Sequence, residues 1–139
     1  MKKIIFTILF SFLLIVETNA KESFILLEKL KNHEIDKVIF LRHALAPGNG
    51  DPDNFNLKDC NTQRNLDYKG ILQSKRIGDF FKNNNIPIDT VLSSEWCRCK
   101  DTARYAFGNY KTFKALNSFY DAKFYKFKDE QITELKKIY

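Results

Sequence analysis

The first apolar stretch of the chain, Ile4 to Val16, carries no charge, follows Lys2 and Lys3, and leads to Thr18-Asn19-Ala20. A bilayer-spanning helix needs about 20 apolar residues. This run is shorter, and its basic start and small residues before a cut are the layout of a secretory signal peptide. Next, "ESFILLEKLKN" spaces Phe24, Leu27 and Leu30 as one face of a short amphipathic helix. "KVIFL" is continuously apolar and predicts a central parallel strand covered on both faces.

Residues 44–66 form a long connection with Pro47, Gly48, Gly50 and Pro52, and connections of that length are usually functional or disordered. Asp67 then caps a helix over Tyr68 to Asn83, whose Gly70, Ser74, Ile77 and Phe81 make a narrow-to-bulky packing face. A second strand, "DTVLS", feeds through Ser93-Ser94 into the helix "EWCRCKDTARYAF", with Trp96, Ala103 and Phe107 inward and Gly108 as its stop. A third strand near "KTFKAL" and a final helix from Asp129 to Ile138 follow. Alternating helices and strands predict an α/β fold with a mostly parallel sheet.

A length of 139 residues with 44% hydrophobic positions suits one domain with its own core. The expected organisation is a signal peptide over 1–20 and a domain over 21–139, in a periplasmic or secreted protein with no stable membrane insertion after cleavage. Cleavage after Ala20 removes two lysines and Glu17, so a formal charge of +6 becomes +5. Lys75, Arg76, Lys136 and Lys137 read as solvated faces, His33 as structural, and Trp96 as core or pocket wall. No clustered arginines and aromatics point to nucleic acid.

Export changes the meaning of the cysteines, because an oxidising compartment allows disulfides. Cys97 and Cys99 are two apart on a helix and point in different directions, so Cys60 is the partner for either, with Cys60 to Cys97 preferred. Three cysteines and two scattered histidines at these spacings do not form a zinc site, and no metal is expected.

Ligands of open α/β sheets bind beyond the carboxyl ends of the strands. Both "FLRH" and "LSSEWCR" lie at such ends, so Arg42 and His43 face the crevice that Ser93, Ser94 and Arg98 reach. A serine-capped helix start with an arginine in its first turn is suited to an anion.

Strand-Arg-His with a Gly/Pro loop, then "NLDYKGILQSKRIG", then "SSEWCRCKDTA", resembles the histidine phosphatase superfamily, in its phosphoglycerate mutase-like branch. The loop "DCNTQRNL" is similar to that of an exported bacterial group, and the likeness runs from Glu22 to Phe119. The resemblance implies a three-layer sandwich around the parallel sheet. It implies a phosphatase acting on phosphomonoesters or phosphohistidine, with a phosphorylated small molecule or phosphoprotein as partner and no cofactor. His43 takes the nucleophile's place and Arg42 and Arg98 those of the phosphoryl clamp, with Ser94 beside them. Arg64 either reaches the pocket or supports the loop.

The family also places a second histidine late in the chain, after a further strand. No histidine follows His43, so the expectation is a C-terminally truncated domain with an unpaired sheet edge. The acid that protonates the leaving group is unplaced, with Asp51 and Asp121 as candidates. The alternative is an inactive phosphatase-like protein that binds a phosphorylated ligand or serves as an envelope interaction protein.

Overall fold

A computed structural model of the chain describes residues 25–32 and 36–138. The signal segment, the cut after Ala20 and His33 lie outside the described residues. The chain divides into two units, Met1–Asp36 and Lys37–Tyr139. In the first, residues 25–31 are helical, and a Glu28–Lys31 ion pair spans one turn at 3.3 Å.

The second unit holds helix α1 (Tyr68–Asn83), strand β1 (Leu92–Ser93), helix α2 (Cys97–Phe107), strand β2 (Lys111–Thr112) and helix α3 (Lys128–Leu135). Short 3-10 turns lie at Cys60–Thr62, Lys114–Leu116 and Ala122–Phe127. Helix α1 starts where the Asp67 carboxylate accepts from Gly70 N–H at 2.7 Å, satisfying one donor of the first turn. Its inward face presents Gly70, Ser74 and Phe81.

Small residues on that face set how closely the helices approach. A Cβ on Gly78 would stand 2.0 Å from the Ala106 carbonyl oxygen, so only glycine allows α1 and α2 to touch there. Beside this contact Phe81 meets Phe107 edge to face at 5.3 Å. Burying a phenylalanine contributes about 1.5–3 kcal/mol, which makes this pair a main apolar link between the helices.

Strands β1 and β2 pair in parallel, with Leu92 opposite Lys111 and Ser93 opposite Thr112. Phe113 N–H donates to Ser93 C=O at 2.8 Å and extends the contact. Helix α2 ends at Gly108, whose φ of 77° lies in the left-handed region that glycine enters freely. The final helix begins at Lys128 and stops at Leu135, short of the Ile138 expected from its pattern. No helix among the described residues is long and apolar enough to cross a membrane.

The "KVIFL" segment departs from expectation: no described residue from 36 to 41 is in a strand. Val38, Ile39, Phe40 and Leu41 are 42–65% exposed. A doubly covered strand needs hydrogen-bonding neighbours, and among the described residues only β1 and β2 pair. Burial begins instead at Ala44 and Ala46.

Candidate functional site

Glycine on α1 and threonine on α2 fix the chain just after His43. A Cβ on Gly70 would fall 2.0 Å from the Leu45 carbonyl oxygen, so this glycine admits the backbone of residue 45 against α1. Leu45 N–H donates to Gln73 Oε1 at 2.8 Å, and Ala44 N–H donates to Thr102 Oγ1 at 2.9 Å. That same hydroxyl donates to Arg98 C=O at 2.7 Å, so Thr102 ties the segment to the first turn of α2.

The half-buried His43 ring places Nδ1 2.7 Å from the carbonyl oxygen of Ala44. A carbonyl can only accept, so Nδ1 carries the proton in the neutral ring and the lone pair is on Nε2. Burial lowers the pKa of His43 below the ordinary 6.5, and the Ala44 carbonyl opposes this by favouring the protonated ring. The charges of Arg98, Arg64 and Arg42, in that order, lower it further. His43 is therefore a neutral imidazole at pH 7 with three guanidinium groups acting on it.

Arg98 is only 8% exposed. Its Nη1 donates to Asp51 Oδ1 at 2.7 Å and its Nη2 to Asp51 Oδ2 at 3.2 Å. The Asp51 carboxylate also accepts from Trp96 Nε1 at 3.0 Å and from Arg64 N–H at 3.0 Å. Burial works to raise the Asp51 carboxyl, but the hydrogen bonds from Arg98, Arg64 and Trp96 outweigh it and hold the pKa below the ordinary value. Asp51 thus stays ionised, which is the wrong state for a general acid. Removing one partner of a buried charge pair costs about 3–5 kcal/mol, so this contact also anchors the 47–66 loop.

The loop has further ties. Arg64 gives Nε to Gly50 C=O at 2.8 Å and Nη1 to Ala46 C=O, so most of its guanidinium supports the loop. A disulfide joins Cys60 to Cys97. Phe55 stacks on Trp96 at 5.2 Å, and Phe124 meets both edge-on.

The helix start differs from the serine cap expected of it. Trp96 is the capping residue and makes no side-chain cap; Cys97 N–H donates to Gln63 Oε1 at 2.9 Å instead. Ser94 Oγ donates to Asn117 Oδ1 at 3.0 Å and accepts from Trp96 N–H at 3.3 Å, a structural engagement. Arg42 is exposed. Asp121, exposed, caps its own turn by accepting from Lys123 N–H at 3.1 Å.

No family model matches this chain, and no curated protein or solved structure matches it.

The residues therefore stand on their own chemistry: a neutral imidazole with a free Nε2 and cationic neighbours. Cys99 is free, and burial raises its thiol pKa, so it is protonated rather than a thiolate ligand. Among the described residues no three His, Cys, Asp or Glu side chains converge as a metal site. Elsewhere, a groove of about 500 Å³ lined by Phe81, Ile86, Val91 and Phe107 contains none of the residues around His43.

Gln63, Thr102 and Asn117 support the site without having been singled out in the sequence. The Cys60–Cys97 pairing was the available signal for Gln63, since a residue three past Cys60 must then lie near the start of α2. Nothing comparable marks Thr102 or Asn117.

Proposed function

We propose that this chain is an exported phosphatase of the histidine phosphatase type, which hydrolyses phosphomonoesters or phosphohistidine through a phosphohistidine on His43. The observation that carries the reading is the His43 ring itself: Nδ1 held on the Ala44 carbonyl and Arg98, Arg64 and Arg42 acting on it. A neutral imidazole with one nitrogen engaged directs its other lone pair outward. Guanidinium charges stabilise the oxygens of a phosphoryl group in transit.

In the first step Nε2 bonds to phosphorus as the bond to the leaving oxygen breaks, and that oxygen departs with a proton from water. Next, a water oxygen bonds to phosphorus, the P–N bond breaks, phosphate leaves and His43 recovers its neutral ring. A single group stabilising such charge is worth about 10² to 10³ in rate.

A second reading, a phospholigand binder without turnover, draws on the ionised state of Asp51, the carboxylate paired with Arg98. Phosphoryl trapping separates the two. The protein is incubated with labelled phosphoramidate, quenched in alkali, and compared with His43→Ala. Alkali-stable label that disappears in the variant supports the phosphatase; phosphate binding by folded protein without label supports the binder.

A further inference from the structure

A guanidinium has two forks of paired N–H groups: an end fork, Nη1 with Nη2, and a side fork, Nε with Nη2. In Arg98 the end fork is spent. Nη1 reaches Asp51 Oδ1 and, at 3.3 Å, Arg64 C=O, and Nη2 reaches Asp51 Oδ2. Nε is buried and has no partner. A buried donor without an acceptor is costly, and beside three satisfied contacts Nε is the N–H that Arg98 still has to offer a ligand.

We infer that Asp51 is a positioning residue: it grips Arg98 by the end fork and so presents the side fork, Nε with Nη2, to two oxygens of a phosphoryl group beside His43. The inference rests on the phosphoryl-site reading above and assigns the acid candidate Asp51 a different task. Three features of the pair favour orientation. Asp51 and Arg98 come from elements 47 residues apart and meet through both carboxylate oxygens. The same oxygens take the Trp96 and Arg64 N–H groups, so the carboxylate cannot rotate without losing partners. Both side chains are largely enclosed, at 9% exposure for Arg98 and 14% for Asp51.

The sign of one measurement tests this. By Coulomb's law alone, deleting a negative charge near an anion site strengthens anion binding. If Asp51 orients Arg98, Asp51→Asn instead weakens it. Inorganic phosphate is titrated into the full chain, with the Trp96 indole N–H and Arg98 Nε–H followed by NMR. The expected result is a tenfold to hundredfold weaker Kd in Asp51→Asn, the loss of about one or two charge-assisted hydrogen bonds. The companion rate of His43 labelling falls by the same factor with phenyl phosphate and with 4-nitrophenyl phosphate.

Tighter phosphate binding in Asp51→Asn overturns the inference, because the carboxylate then plugs the anion site. So does a labelling loss confined to the poorer leaving group, which identifies a general acid. Arg98→Lys covers the case in which Asp51→Asn does not fold: lysine keeps the charge opposite Asp51 and lacks the side fork. It is expected to bind phosphate at least tenfold more weakly, and unchanged binding overturns the inference. Phosphate binding that depends on Asp51 without any His43 label leaves the inference standing and removes the phosphohistidine reading.

Discussion

Replacing Gly70 by alanine tests how the His43 segment is placed. Within a helix alanine is favoured over glycine by up to about 1 kcal/mol, so helix propensity alone predicts a protein at least as stable, even in the first turn where Gly70 sits. The structure predicts the reverse. The new Cβ would lie 2.0 Å from the Leu45 carbonyl oxygen, and approaches under 3.0 Å essentially never occur. The backbone at residue 45 must therefore withdraw by about 1 Å. It cannot do so freely, because Leu45 N–H is held by Gln73 and Ala44 N–H by Thr102. Forced overpacking costs about 1–3 kcal/mol, and each strained hydrogen bond up to about 1 kcal/mol. Against the helix gain, the net is a destabilisation of about 2 kcal/mol. Urea unfolding of Gly70→Ala measures it, with exposed Lys75→Ala on the same helix as a control that changes stability by less than about 0.5 kcal/mol. If His43 is the nucleophile, a displacement near 1 Å also slows its labelling about a hundredfold. A Gly70→Ala protein as stable as the parent, labelling at the parent rate, would refute the claim that this contact sets the site.

Two further outcomes are expected. The Cys60–Cys97 bridge spans 37 residues, and closing such a loop in the unfolded chain is worth about 4 kcal/mol; Cys60→Ser with Cys97→Ser should lower the unfolding free energy by about that much, and a change under about 1 kcal/mol would show that the loop's other ties hold it. Because the pKa of His43 is lowered in the folded state, the unfolded chain takes up that proton first. Stability from neutral His43 is full above pH 6.5 and declines as pH falls below it. The depressed Asp51 carboxyl contributes stability above its ordinary 3.8 that is lost as pH falls through the folded value. Urea midpoints at pH 7.5, 5.5 and 3 should fall in two steps, and His43→Gln should remove the upper one; an unchanged upper step would assign it elsewhere.

Local signals were legible because their physics is local. Asp67 before an apolar periodicity specified the start of α1, and Gly108 specified the end of α2. The apolar rhythm of "DTVLS" and "KTFKAL" located the segments that pair in parallel, though the pairing itself spans only two residues each. "KVIFL" misled because continuous apolarity describes a strand only when neighbours cover it, and those residues are exposed. The serine pair before α2 had cap chemistry, yet Gln63 reached the Cys97 N–H from the loop. Asp51 reads in sequence as a carboxylate in a Gly/Pro loop; that it serves Arg98 depends on contacts across 47 residues that no local pattern encodes.

The Thr102 hydroxyl joins Ala44 to the helix across 58 residues, and Asp51 reaches Arg98 across 47. Contacts of such separation form against loop-closure entropy, whereas α1 and α2 draw on neighbours three and four residues away. The expected folding order is therefore helices first and the His43 corner last. The same ordering holds in reverse when the chain opens. If the long-range ties open before the helices do, hydrogen exchange at Ala44 N–H, held by Thr102, is expected to be faster than at the middle of α2.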